Sequence, residues 1–287
     1  MNLPDLKEAK KRTDNEVVEK QVEYNFPKAF VNKKYFLRTY GCQMNVHDSE
    51  EIRKYLEILG FTETTILEES DLVVLNTCAI RENAHDKVFG YLGRCKHLKR
   101  EKPDLLIAIG GCMSQEENVV FEIKTKHPYV DIVFGTHNIN ELPKLLLENK
   151  EKQTIEVYSI EGDVYEGIQY KRDSKITAWV DIMYGCDKFC TYCIVPYTRG
   201  KERSRKLENI IAEVEELKQN GYKEVTLLGQ NVNAYGRDLN MGYDFKDLLE
   251  KVAQTGIDRI RFVTSHPWNF TSEMIDALYS FATSKWK

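Results

Sequence analysis

Residues 71–78 read "DLVVLNTC", and the fold turns on them. Four consecutive apolar residues, rich in β-branched side chains, form too short a run for a helix. They suit a strand buried on both faces, as the inner strands of parallel sheets are. Two further stretches share the plan: "KKYFLRTYGC" at 33–42 and "PDLLIAIGGC" at 103–112. Each predicts a strand that ends at or just before a cysteine. Helical spacing follows each strand. It is seen in "DSEEIRKYLEILGF", with Ile52, Leu56 and Leu59 on one face and Gly60 as a stop, in "AHDKVFGYLGRCKHLKRE" and in "QEENVVFEIKTK". "VDIVFG" and "INELPKLLLENK" add a fourth pair.

Strands alternating with helices imply crossover connections and an open parallel sheet flanked by helices. Cys42, Cys78 and Cys112 are 36 and 34 residues apart, close to one strand–helix period each. All three follow strand ends, and in a parallel sheet those ends share the edge where ligands bind. One such cysteine would read as a small buried hydrophobe. Three at the same phase point to a shared metal site. Gly41, Gly110 and Gly111 beside them let the backbone approach a bulky inorganic group. Cys95 lacks this phase, lies inside a helical pattern, and reads as structural.

A second strand–helix series begins with "ITAWVDIMYG" at 176–185. "LENIIAEVEELKQNG", with Ile210, Ile211, Val214 and Leu217 on one face, and "EVTLLGQ" come next. "FKDLLEKVAQTG", "RIRFVTS" and "SEMIDALYSFA" complete it. Three such units predict part of a (β/α) barrel, since three strands cannot close one. The expected organisation is a charged N-terminal extension at 1–32, mobile or weakly helical, and a first domain at 33–148. A linker with one strand follows at 149–172, and then an incomplete second domain at 173–287.

Composition bounds the chemistry. The chain has 287 residues, 42% hydrophobic and 30% charged, with a formal net charge of −4, so any contact with nucleic acid needs a local basic patch. The N-terminal "MNLPDLKEAKKRTDNEVVEK" has no apolar signal segment, and no run reaches the length of a membrane span. The expected compartment is the cytoplasm, with no membrane partner. There, seven cysteines favour metal binding or catalysis over a disulfide framework.

Residues 182–200 read "IMYGCDKFCTYCIVPYTRG" and place Cys186, Cys190 and Cys193 on one loop after a strand. Three thiolates suit three corners of a [4Fe–4S] cube and leave the fourth iron open to a substrate. A zinc site would need a further ligand from elsewhere in the chain.

"GCDKFCTYC" resembles the signature of radical S-adenosylmethionine enzymes. "YGCQMNVHDSE", "LNTCAIRENAHDKVFGYLG", "GGC", "YCIVPYTRGKERSR", "LLGQNVNAYG" and "TSHPWNF" together resemble the methylthiotransferases of that superfamily, from about Tyr35 to Leu278. The resemblance implies two [4Fe–4S] clusters, a radical-generating one on Cys186, Cys190 and Cys193 and an auxiliary one on Cys42, Cys78 and Cys112. It implies S-adenosylmethionine as cofactor, bound by the open iron and cleaved to a 5′-deoxyadenosyl radical, with the aromatic Tyr192 near the adenine. Removing hydrogen from an aromatic carbon of a purine calls for such a radical. The implied product is a 2-methylthio adenosine beside the anticodon of isopentenyladenosine-containing tRNA. Implied partners are tRNA, a flavodoxin-like or ferredoxin-like electron donor and a sulfur donor. Sister enzymes act on threonylcarbamoyladenosine in tRNA or on an aspartate of a ribosomal protein, and "PYTRGKERSR" and "GCQMN" favour the adenosine branch. The family continues beyond this point with the rest of its barrel and a small RNA-binding β-domain, so an inactive iron–sulfur-binding fragment is the alternative.

Further candidates are polar or basic. Arg199, Lys201, Arg203, Arg205 and Lys206 form a run beside the cluster loop that reads as a contact for tRNA phosphates, against the plainer reading of a solvated stretch. Gln230, Asn231 and His266 lie at strand ends and are candidates to face the cofactor.

Overall fold

In the computed structural model, residues 17–79, 82–149, 153–157 and 163–284 are described. The chain divides into two units. One runs to Lys171 and takes in Cys190–Arg199; the other comprises Arg172–Phe189 and the residues from Gly200 onward. Cys190–Arg199, which lies within the second domain expected at 173–287, groups with the first unit.

The first unit is built on a six-stranded, wholly parallel sheet. In chain order its described strands are β1 (Glu19–Gln21), β2 (Lys34–Thr39), β3 (Thr62–Glu63), β4 (Leu72–Thr77), β5 (Leu106–Gly111), β6 (Ile132–Phe134), β7 (Thr154–Glu156) and β8 (Val164–Glu166). The sheet order is β3-β2-β4-β5-β6-β7, while β1 and β8 pair with each other. Every residue of β4 is buried, as the apolar run "LVVL" requires of a strand covered on both faces. Its alternation builds two cores. Val73 and Leu75 join Ile107, Ile109 and Val133 on one face, against helices α2 (Glu82–Glu101) and α3 (Glu117–Lys126). Leu72 and Val74 join Ala108, Ile132 and Phe134 on the other, against α1 (Gln43–Ile58) and α4 (Leu142–Glu148). Cys95 is fully buried on α2, and burial pushes its thiol up to about 11. Its structural reading stands on that packing.

The expectation of a mobile or weakly helical stretch before residue 33 is corrected where the chain is described; residues 1–16 lie outside the described residues. Glu19–Gln21 pair in parallel with Val164–Glu166, and Val22, Tyr24, Phe26 and Phe30 pack on the core beside α1. Tyr24 stacks on Tyr55 at 5.5 Å and Phe30 on Phe61 at 4.5 Å. The aromatic residues anchor a segment whose charged composition suggested otherwise.

In the second unit, β9 (Thr177–Asp181), β12 (Glu224–Leu228) and β13 (Arg259–Phe262) form a parallel sheet in the order β13-β12-β9. Short strands β10 (Met183–Tyr184) and β11 (Arg203–Ser204) pair antiparallel. Of the remaining helices, α5 (Val195–Thr198) belongs to the first unit, and α6 (Leu207–Gln219), α7 (Phe245–Gln254) and α8 (Ser272–Ser284) to the second. Val180, Val225 and Leu227 meet Ile210, Val214 and Leu217 of α6 and Phe245, Leu248 and Val252 of α7 in one core. The three predicted strand–helix repeats are present. Among the described residues no helix is long and apolar enough to cross a membrane.

Candidate metal centres

Cys42, Cys78 and Cys112 follow β2, β4 and β5, three neighbours in one sheet. The register pairs Thr39 with Asn76, Asn76 with Gly110, and Thr77 with Gly111. Cys78 and Cys112 are therefore the next residues on strands about 4.8 Å apart. Cys42 lies three residues past Thr39, at the N-cap of α1. The charge environment of the Cys112 thiol includes both Cys78 and Cys42, so the three share one neighbourhood.

The residues beside them form a buried network of polar side chains and backbone. Asn45 Nδ2 donates to Asn76 Oδ1 (3.2 Å) and to the Thr77 carbonyl (2.9 Å). Asn76 Nδ2 returns bonds to the Asn45 carbonyl (2.7 Å) and Ser49 Oγ (2.9 Å), and Thr77 Oγ1 donates to the Gly110 carbonyl (2.7 Å). These groups are buried, where unpaired polar atoms are costly, so the network fixes the ends of α1, β4 and β5 together. Gly111 has φ +95°, and a Cβ there would stand 2.3 Å from the Thr77 carbonyl oxygen. Only glycine lets β5 turn Cys112 away at this point.

Arg199 completes the arrangement. Its Nε donates to Cys112 Sγ at 3.3 Å, and its Nη2 bonds Asp48 Oδ2 at 2.5 Å. Arg199 and Asp48 are 6% and 7% exposed, so the pair is shielded from water. Burial alone pulls the Arg199 pKa down, but the Asp48 carboxylate reverses this and holds it well above the ordinary value. Burial pushes the Cys112 thiol up to about 11, with the Arg199 charge opposing that rise. The pairing with Asp48 escaped the sequence reading, although the first turns of α1 carry the run "HDSEE", unusually polar for a buried stretch of helix.

The second cysteine set is divided between the units. Cys186 is buried in the second, where its N–H donates to the Gly200 carbonyl (3.0 Å). Gly185 precedes it at φ +74°, and a Cβ there would stand 1.9 Å from the Lys201 carbonyl oxygen. Gly185 also donates its N–H to Gln230 Oε1. Cys190 and Cys193 lie in the first unit, joined by a turn in which Cys193 N–H donates to the Cys190 carbonyl (2.9 Å). Tyr192 in that turn is 85% exposed. Burial raises the Cys193 thiol.

Among the polar candidates, Gln230 is thereby engaged with the backbone before Cys186. Asn231 Nδ2 donates to Glu202 Oε1 (2.9 Å) and Asn269 Oδ1 (3.3 Å), while its Oδ1 is buried with no hydrogen-bond partner among the described residues. Burial raises the Glu202 carboxyl, with Asn231 opposing it. His266 caps the turn Pro267–Asn269, its Nδ1 accepting from the Trp268 N–H (3.3 Å). Glu202 and Asn269 were not singled out from the sequence, where no local pattern links them to Asn231.

The basic run requires a correction. Arg199, Arg203 and Arg205 are buried, not solvated. Arg205 donates to the Asp181 carbonyl (2.7 Å) and Glu213 (2.8 Å), Arg203 lies over the Tyr184 ring at 5.8 Å, and Arg199 serves Asp48 and Cys112. Lys201 keeps intermediate exposure and Lys206 is exposed.

Two family models match in tandem: "Uncharacterized protein family UPF0004" over residues 34–135 and "Radical SAM superfamily" over 180–281. The chain carries both domains in that order. The tRNA-2-methylthio-N(6)-dimethylallyladenosine synthases of Staphylococcus aureus strains JH9, Newman and COL are each 54% identical to it over 281 residues, which is 96% of this chain and 55% of theirs. Along nearly its whole length it is similar to these synthases, and it spans about half the length of the curated relatives it matches. In fold, it is similar to the radical S-adenosylmethionine methyltransferase TsrM from Kitasatospora setae, determined with tryptophan and a cofactor analogue. That match has a TM-score of 0.57 at 15% identity, over 87% of this chain and 58% of the other. A second TsrM structure, with cobalamin and a [4Fe–4S] cluster, gives a TM-score of 0.55.

The radical S-adenosylmethionine domain and the similarity to these synthases imply [4Fe–4S] clusters and S-adenosylmethionine. Among the described residues no three His, Cys, Asp or Glu side chains converge on a single metal ion. In a cube each thiolate binds its own iron, so convergence on one point is not what it demands. Three thiols beyond adjacent strand ends, a glycine that clears their approach and a guanidinium donating to one sulfur suit an anionic, sulfur-ligated group. The residues of the first unit fit an auxiliary cluster. The unpartnered Asn231 Oδ1 fits a donor arriving from a bound cofactor.

Proposed function

We propose that this chain takes part in replacing a ring hydrogen of adenosine by a methylthio group, on dimethylallyl-modified adenosine next to the anticodon of tRNA. The observation that carries this reading is its 54% identity, along 96% of its length, to synthases named for that product. In it, Cys186, Cys190 and Cys193 hold the cluster that serves S-adenosylmethionine, and Cys42, Cys78 and Cys112 hold an auxiliary cluster. When bound, these groups supply one-electron reduction of the cofactor and an iron site for the sulfur to be transferred.

The chain's own residues bind and orient. Gln230 secures the backbone before Cys186 through Gly185. Asn231, aligned by Glu202 and Asn269, presents an acceptor oxygen to the cofactor. Tyr192 is free of packing and stacks on the cofactor's adenine. Lys201 and Lys206 keep more exposure than the three arginines of the basic run, and they meet tRNA phosphates. A flavodoxin-like or ferredoxin-like protein delivers the electron, and a separate donor delivers the sulfur.

The test uses anaerobically reconstituted chain, S-adenosylmethionine, a chemical reductant and tRNA bearing dimethylallyladenosine, followed by mass spectrometry of the nucleosides. The methylthio nucleoside should appear. Its appearance only on threonylcarbamoyladenosine tRNA, or only on a ribosomal-protein aspartate, would overturn the substrate assignment. Iron loading without release of 5′-deoxyadenosine would make the chain a cluster carrier and not an enzyme.

A further inference from the structure

Arg199 is 87 residues from Cys112 in sequence, yet its Nε lies 3.3 Å from the Cys112 sulfur. Its Nη2 is held by Asp48, itself placed by the first turns of α1. All three belong to the first unit. A guanidinium has no acceptor and keeps its proton in proteins, so the sulfur must be the acceptor. A neutral thiol accepts weakly; a thiolate or metal-bound sulfur accepts a charge-assisted bond. Burying an arginine–aspartate pair is also expensive, and apolar side chains of similar volume would fill the space as well or better. The pair therefore reads as a device aimed at negative charge on Cys112.

We propose that Arg199, clamped by Asp48, is a positioning residue that sets the donor strength of the Cys112 sulfur and thereby the reduction potential of the auxiliary cluster. The inference rests on the reading that Cys42, Cys78 and Cys112 hold that cluster. Hydrogen bonds to ligating sulfurs and nearby charge are among the factors that set such potentials. A donated N–H and a positive charge stabilise the reduced, more negative cluster. The Asp48 carboxylate offsets part of that charge. Arg199 and Asp48 must then act in opposite directions, which a merely structural pair would not do.

The experiment uses the full chain with Cys186→Ala, Cys190→Ala and Cys193→Ala, so that only the auxiliary cluster loads, and follows its reduction by EPR during a potentiometric titration. Arg199→Gln should favour the oxidised form about tenfold, a fall of about 59 mV for one electron. Asp48→Asn should raise the potential, and Arg199→Lys, which keeps the charge, should fall less than Arg199→Gln. Potentials that stay put in both Arg199→Gln and Asp48→Asn, or that move in the same direction, overturn the inference while the cluster stands. Absence of iron from the triple-alanine parent would overturn the cluster reading and this inference with it. If Arg199→Gln loads no iron, Asp48→Asn decides: a raised potential supports the inference, and an unmoved or lowered one overturns it.

Discussion

Arg205 shows what a single residue's setting does to its meaning. In sequence it is one cation in "RGKERSRK"; in the fold it is enclosed, donating to the Asp181 carbonyl and to Glu213, which Arg172 also pairs at 2.9 Å. Removing one partner of a buried pair leaves the other charge uncompensated. Arg205→Ala should lower the unfolding free energy by about 2–3 kcal/mol, below the full cost for a buried pair because Arg172 still neutralises Glu213. Urea unfolding measures the loss. The salt dependence of tRNA binding by the folded protein should stay as it was. A flatter salt dependence with unchanged stability would instead put this side chain on the RNA. Composition cannot make the distinction, because the partners come from other elements of the fold. The cysteines differ: their phase against the strand pattern is a local property, so their gathering was legible before any coordinates.

At the scale of elements, every predicted strand and helix of the two series has a counterpart, because apolar runs and helical spacing are themselves the burial pattern. What escaped the pattern depended on distant or polar contacts. The β1–β8 pairing joins Glu19 to Val164, and nothing local announces a parallel partner so far along the chain. Helix α1 was expected from Asp48, yet it starts at Gln43, since its first turns are buried through hydrogen bonds and not through apolar side chains. Helix α7 is the opposite case, with both signals in view. Asp244 accepts from the N–H groups of Lys246 (2.8 Å) and Asp247 (3.2 Å), and Asp247 returns a bond to the Asp244 N–H (2.9 Å). This reciprocal cap starts a helix whose Phe245, Leu248, Leu249 and Val252 fill the second core. Asp244→Ala should cost about 1 kcal/mol, read from the denaturation midpoint at an unchanged slope. No shift in midpoint would mean that packing alone holds the helix start.

For the whole molecule, the two matched domains follow one another as the two strand–helix series suggested. The grouping of Cys190–Arg199 with the first unit was not legible, because the contacts that decide it are tertiary: Thr136 Oγ1 donates to the Thr198 carbonyl (3.0 Å), and Arg199 reaches Asp48 and Cys112. Cys42, Cys78, Cys112 and Cys186 follow strand ends, with Cys112 opening a 3-10 turn, Cys190 and Cys193 lie in the turn beyond, and Cys95 lies in a helix within the core. The most direct measurement is the iron content of anaerobically reconstituted chain beside that of two variants. Two cubes require about eight irons per chain. Replacing Cys42, Cys78 and Cys112 by alanine should leave about four, while Cys95→Ala should leave all eight. About four irons in the parent chain, unchanged when the first three cysteines are removed, would contradict the two-cluster arrangement.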